Sequence, residues 1–258
     1  MAVMYRTFSV LFNRFQGGFM MTEPGMNRWT VHLLLFITLA LFITMTIGLE
    51  LHIHIFHSID LITFKWWLSH FGEPQMNFRS GIVTGYFTFF AKYFDIATVV
   101  ALTIFTAALF AWRKYYAFSV WLLTVVATGG LIGIVFKGMF HRARPYDHLL
   151  LDTGYSFPSG HSLSSSLFFI IILFVMLPHL KEKYQVYKPV IYIVSTISWL
   201  SILISRLYFH AHFLTDVIGG VAFGIFWVML FVWLYQWLFD PVISKLMHSN
   251  KSFQMVQS

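Results

Sequence analysis

The 258-residue chain is 58% hydrophobic and 10% charged, with a mean hydropathy of +0.73, a balance that excludes a water-exposed surface and makes the lipid bilayer its solvent. A formal charge of +7 would suit nucleic acid, but Lys and Arg are scattered between apolar runs instead of lining one face, which argues against a nucleic-acid partner. Cysteine is absent, which excludes a disulfide framework and a thiolate metal site.

At the N-terminus, Arg6 and Arg14 interrupt the apolar residues before a long run develops, so no cleaved secretion signal is expected. Phe8, Leu11, Phe12, Phe15 and Phe19 recur at helical spacing and predict an amphipathic helix within 1–28, lying in the headgroup region; a frayed tail is the alternative. Six apolar runs follow at 30–50, 88–112, 116–137, 161–178, 189–207 and 213–238. Each is long enough to cross the hydrocarbon core as a helix, whereas a barrel would show shorter alternating segments. The prediction is an all-α integral membrane protein, a six-transmembrane-helix bundle in which 1–258 is one domain. The stretch 51–87, with Trp66-Trp67 ahead of Gly72, Pro74 and Gly81, predicts an interfacial segment, a helix and a loop, between the first two spans.

An even number of spans puts both termini on one side. That side carries ten Lys and Arg against three Asp and Glu, whereas the other carries seven against seven. Because basic residues stay inside, both termini are expected to be cytoplasmic.

Three polar segments fall where spans three to six emerge on the opposite side. The first holds Lys137 and Arg144-Pro145, the second Pro158-Ser159-Gly160-His161, the third Ser205-Arg206, His212 and Asp216. Cations at the ends of apolar helices repel one another unless an anion sits among them, and a phosphate fits. Pro158 and Ser159 are helix-start residues and Gly160 permits close approach, so backbone N–H groups there form an anion site; an ordinary helix cap is the plainer alternative. His212 and Asp216 are four apart, which puts both on one helix face, where the carboxylate can orient the imidazole as a nucleophile or merely cap the helix. Lys137, Arg144 and Arg206 would bind nonbridging oxygens and supply the neutralising charge without a metal or other cofactor. His161 would then protonate the leaving group and later activate water. His210 lacks an acid at the matching spacing and is expected to pack or to support the site residues from behind.

Together the three segments resemble the signature of the type 2 phosphatidic acid phosphatase family, which includes bacterial membrane lipid phosphatases. Lys137, Arg144, Pro145, Pro158, Ser159, Gly160, His161, Ser205, Arg206, His212 and Asp216 occupy its fixed positions over 137–216. The resemblance implies His212 as nucleophile, Asp216 as its orienting partner, His161 as general acid, and Lys137, Arg144, Ser159, Gly160 and Arg206 as phosphate ligands. Because some members are soluble, the membrane embedding does the narrowing. A lipid whose tail stays in the bilayer can bring its headgroup to the cations, which favours undecaprenyl diphosphate, phosphatidic acid or phosphatidylglycerol phosphate. A phosphotransferase using the same histidine, and a lipid transporter or scramblase retaining a phosphate site, remain open alternatives.

His52, His54 and His57 with Glu50 and Asp60 invite a metal site, but His52 and His54 would point apart on a helix, so solvated interfacial histidines are expected. The glycines at 129, 130 and 133 and at 219, 220 and 224 lie inside apolar spans and predict close helix contact rather than phosphate loops.

Overall fold

The computed structural model describes residues 26–145 and 154–254, so the predicted amphipathic N-terminal helix lies almost wholly outside the described residues. Within them all regular structure is helical: α1 (Arg28–Glu50), α2 (His54–Phe71), α3 (Ile82–Tyr93), α4 (Ile96–Trp112), α5 (Tyr116–Phe140), α6 (Gly160–Ile170), α7 (Lys188–Tyr208) and α8 (Leu214–Gln254). α6 continues through a π-helical turn over Ile171–Met176 and a 3-10 turn over Leu177–His179, where Pro178 offers no N–H to a further helical turn. Five helical segments are long and apolar enough to cross a membrane, and α3 with α4 makes a sixth crossing if the pair counts as one span. This is the body of a multi-pass membrane protein.

The run 88–112, expected as one helix, belongs to two helices that meet at 58°. Asp95 is the physical reason. Its side chain accepts a hydrogen bond from the Thr98 backbone N–H at 2.7 Å, so a capped helix begins inside a stretch that composition alone reads as continuous. In the interfacial segment α2 fills the first half and a loop follows, while α3 already begins at Ile82, ahead of the expected span.

α6 is the axis of the bundle and packs against α4, α5, α7 and α8. Its sequence explains the position, because Ser162, Ser164, Ser165 and Ser166 are small enough to let neighbouring backbones approach and all are buried. Each satisfies its hydroxyl locally: Ser165 donates to the His161 carbonyl at 2.6 Å and Ser166 to that of Ser162 at 2.6 Å. The facing helices supply glycines. A Cβ on Gly220 would sit 2.7 Å from the Ser159 carbonyl oxygen, and one on Gly224 would sit 2.7 Å from Ser166 Cβ. Gly129 meets Leu167 and Gly133 meets Leu163 on the α5 side, while Gly130 faces open space.

α1 lies along α8, burying Val31, Thr38, Phe42 and Gly48 while Trp29, Phe36 and Ile37 face outward, as a lipid-exposed helix requires. Beneath the polar end of the bundle, Phe42 meets Phe157 with ring centroids 6.0 Å apart and Phe223 at 5.1 Å, and Phe140 meets Phe157 at 5.5 Å. Phe157 is thereby buried, and it anchors the segment that leads into α6.

Candidate active site

The chain order of the helices returns all three polar segments to one end of the bundle. Lys137 is in the last turn of α5, Ser159 caps α6, Arg206 is in the last turn of α7, and His212 and Asp216 flank the start of α8. Backbone hydrogen bonds tie the pieces together: Ser159 N–H donates to the Asp216 carbonyl at 3.0 Å, and Ser156 N–H to that of Arg142 at 2.8 Å. A Cβ added to Gly160 would lie 3.0 Å from Ile96 Cδ1 and in ordinary contact, 3.7 Å, with Lys137 Cε, which places the lysine stem beside the α6 N-terminus. The first-turn N–H groups of α6 and its dipole add positive potential at the same place.

The turn between α7 and α8 fixes His212. Ala211 N–H and His212 N–H donate to the Arg206 carbonyl at 3.0 and 3.3 Å, and His210 adopts a positive φ of 51° to close the turn. His210 itself is buried with its ring 5.0 Å from that of Phe64, a packing role. His212 precedes α8 instead of lying on it, so its meeting with Asp216 comes from the capping turn and not from a shared helix face. Asp216, two residues after the first of α8, returns its carboxylate to accept the Phe213 N–H at 2.9 Å, the acidic half of a capping box. The same oxygen, Oδ2, lies 3.6 Å from His212 Nδ1.

A hydroxyl stands between the two. Ser156 Oγ donates to Asp216 Oδ2 and lies 3.3 Å from His212 Nδ1, so with its proton committed to the carboxylate it accepts from Nδ1–H. On the other edge of the ring, Arg144 Nη1 lies 3.3 Å from Nε2, and a guanidinium can only donate. Both partners assign the same tautomer, with the proton on Nδ1 and the lone pair on Nε2 directed at a cation. Burial pushes the His212 imidazole down to about 4; hydrogen bonding to Asp216 and its charge oppose the shift, and Arg144 and Arg206 add to it. The ring is therefore neutral at pH 7.

The remaining predicted residues converge on this ring. Arg144 also donates to the carbonyls of Gly154 at 3.0 Å and Ala211 at 2.8 Å, and Lys137 Nζ donates to the Tyr155 carbonyl at 2.5 Å. Arg206 is 1% exposed, so its charge is held where solvent screens it little. Arg206, His212, Arg144 and Lys137 all act electrostatically on His161, which lies in the first turn of α6 and is mostly buried. Two histidines and three cations thus lie within electrostatic reach of one another, a cluster that lowers its energy by taking up an anion.

A model of the PAP2 superfamily matches residues 118–240 of the chain. Over 154 residues the chain is 31% identical to phosphatidylglycerophosphatase B of Bacillus subtilis (strain 168), an alignment covering 59% of this chain and 72% of that protein. This chain belongs to the PAP2 superfamily. Among solved structures it is similar to that of the first transmembrane PAP2 type phosphatidylglycerolphosphate phosphatase from Bacillus subtilis. The TM-score is 0.61 at 25% identity, covering 79% of this chain and 98% of that one. The protein is a multi-pass membrane lipid phosphatase, a hydrolase.

Three polar residues beside this PAP2 site, Ser156, Arg142 and Asp60, are not assigned to it from the sequence, where Asp60 is weighed only as a metal ligand. Ser156 bridges the histidine and its acid, as described. Arg142 donates through Nη1 to Asp216 Oδ1 and to Thr215 Oγ1 at 2.7 Å, and through Nη2 to Asp60 Oδ2 at 2.5 Å. Asp60 arrives from α2 and is 1% exposed. One signal was present, since a carboxylate inside an apolar helix at a membrane is costly unless it is paired. Of the other α2-side histidines, His54 Nδ1 lies 3.1 Å from Ser58 Oγ.

Proposed function

We propose that this PAP2 protein removes phosphate from a lipid phosphate monoester or diphosphate through a phosphohistidine on His212, without a metal, at the extracytoplasmic face of the membrane. The observation that carries the proposal is the neutral, tautomer-defined His212 whose Nε2 lone pair faces Arg144. A phosphoryl group entering the cation cluster exchanges the Arg144–Nε2 contact for contacts between the guanidinium and its nonbridging oxygens, with Lys137, Arg206, Ser159 and the Gly160 backbone completing the cradle. The Nε2 lone pair then attacks phosphorus, the P–O bond to the lipid breaks, and His161 gives its proton to the departing oxygen. Asp216, through Ser156, stabilises the positive charge the imidazole acquires. In the second half His161 takes a proton from water, the water oxygen attacks phosphorus, and the P–N bond breaks to release phosphate.

The Bacillus relative's name points to phosphatidylglycerophosphate, ahead of phosphatidic acid and undecaprenyl diphosphate, as the first substrate to test. Purified protein in detergent with excess chelator is expected to release phosphate from this panel, with the highest kcat/KM for phosphatidylglycerophosphate. Release that vanishes on chelation and returns with a divalent cation overturns the metal-independent mechanism, and phosphate appearing only on an added acceptor makes the protein a phosphotransferase.

The charge asymmetry supports cytoplasmic termini and an outward-facing site. Because the chain has no cysteine, Ser80→Cys in the α2–α3 loop at the site end and Val186→Cys between α6 and α7 at the other end report directly on sidedness. An impermeant maleimide added to intact cells is expected to label the first and spare the second; the reverse pattern inverts the topology.

A further inference from the structure

Asp60 lies 156 positions before Asp216 in the sequence, yet the two carboxylates share one guanidinium. The Arg142 fork spans them, with Nη2 on Asp60 Oδ2 at 2.5 Å and Nη1 on Asp216 Oδ1, while its plane stacks 4.7 Å from the centre of the Phe213 ring. Asp60 makes two further contacts, both with Thr215: Oδ1 accepts the backbone N–H at 2.9 Å and Oδ2 accepts Oγ1–H at 2.7 Å. Thr215 is the second residue of α8, so its N–H is one of the donors that a helix leaves without an intrahelical acceptor. A side chain from a separate helix supplies the acceptor, and its negative charge sits at the positive end of the α8 dipole.

These contacts fix both ends of the Asp216 carboxylate. Oδ2 is held by Ser156 and the Phe213 N–H and faces His212; Oδ1 is held by Arg142. Rotation of the carboxylate about its Cβ–Cγ bond would break all three. Asp60 completes the hold on Arg142: it is the partner of Nη2, and without it that arm of the fork is released while Asp216, the Thr215 hydroxyl and the Phe213 ring hold the rest, with 17% of the side-chain surface already toward solvent. α2 also walls a small cavity beside His212, lined by Asp60, Thr63, Phe64 and Trp67.

We propose that Asp60 is a positioning residue of the reaction: through Arg142 and Thr215 it holds the first turn of α8 and the Asp216 carboxylate in the orientation that presents His212 to phosphorus. α2, expected only as an interfacial connector, is then part of the catalytic framework. The inference rests on His212 acting as the nucleophile, and the test separates the two. Asp60→Asn keeps an acceptor for the Thr215 N–H and removes the charge that holds Arg142. Relative to wild type, it is expected to lower kcat by about 10- to 100-fold, the scale on which residues that orient a histidine through hydrogen bonds act, with KM changed by less than about threefold because the phosphate ligands are untouched. Acid-stable analysis is unsuitable for phosphohistidine, so the intermediate is followed by rapid quench into alkali, and its rate of formation should fall in step with kcat. Thr215→Val, which removes only the hydroxyl, should lower kcat in the same direction by a smaller factor, and it decides the matter should Asp60→Asn fail to fold. A folded variant with a lowered melting temperature but wild-type kcat per titrated site makes Asp60 a structural anchor and overturns the proposal. Absence of any phosphohistidine in the wild-type protein overturns the nucleophile assignment instead.

Discussion

With His212 replaced by alanine, turnover of a lipid phosphate should fall by about 10⁴-fold or more, and phosphohistidine should become undetectable. No neighbour is expected to replace it, because His210 packs against Phe64 and His161 stands at the start of α6, where the proposed mechanism uses it for proton transfer. The phosphate cradle survives in this variant, so lipid phosphate should still bind, and the loss should appear in kcat rather than in affinity. The pH dependence follows from the same geometry. Protonation at Nε2 consumes the attacking lone pair, and the folded protein holds this imidazole down to about 4 against an ordinary value of 6.5. The nucleophile is thus competent above about pH 4 and lost as pH falls through it, so an acidic limb of kcat/KM near 6.5 in a substrate series whose phosphate pKa lies lower would contradict the buried-imidazole account. The shift also bears on stability: the unfolded chain takes up a proton as pH falls below 6.5 while folded His212 does not, so the fold loses stability between about 6.5 and 4.

The spans and the three polar segments were legible because each rests on local information. An apolar run of spanning length has one low-energy answer in a bilayer, and a histidine, a serine cap and paired cations at run ends are unusual enough to stand out. What stayed hidden depends on partners remote in sequence. Asp60 and Arg142 are separated by 82 positions, and neither window says that they meet. Ser156 looks like any loop serine until α8 brings Asp216 above it. The α3–α4 bend failed for a different reason: Asp95 and Thr98 form a helix-start pair, but the hydrophobicity on both sides outweighed that signal. The four-residue spacing of His212 and Asp216 led to the right pairing through the wrong local structure, since the turn, not the helix, sets their separation.

His161→Ala is expected to produce the second large loss, and its dependence on the leaving group distinguishes an acid from a phosphate ligand. A lipid alkoxide is a poor leaving group that needs a proton as the P–O bond breaks, whereas p-nitrophenolate leaves without one. If His161 supplies that proton, the variant should lose about 10²- to 10⁴-fold in kcat/KM on lipid phosphates but far less on the formation of phosphohistidine from p-nitrophenyl phosphate. Hydrolysis of that intermediate also needs His161 as a base toward water, so phosphohistidine should accumulate from the activated substrate to near one equivalent per active site. The electrostatics make this division of labour reasonable. Arg206, Arg144 and Lys137 crowd the His161 imidazole with positive charge, and a doubly charged phosphate among them offsets that field, so binding of the substrate itself readies the proton donor. Equal losses on both substrates, with no accumulation, would mean that His161 serves to hold the phosphate rather than to move a proton.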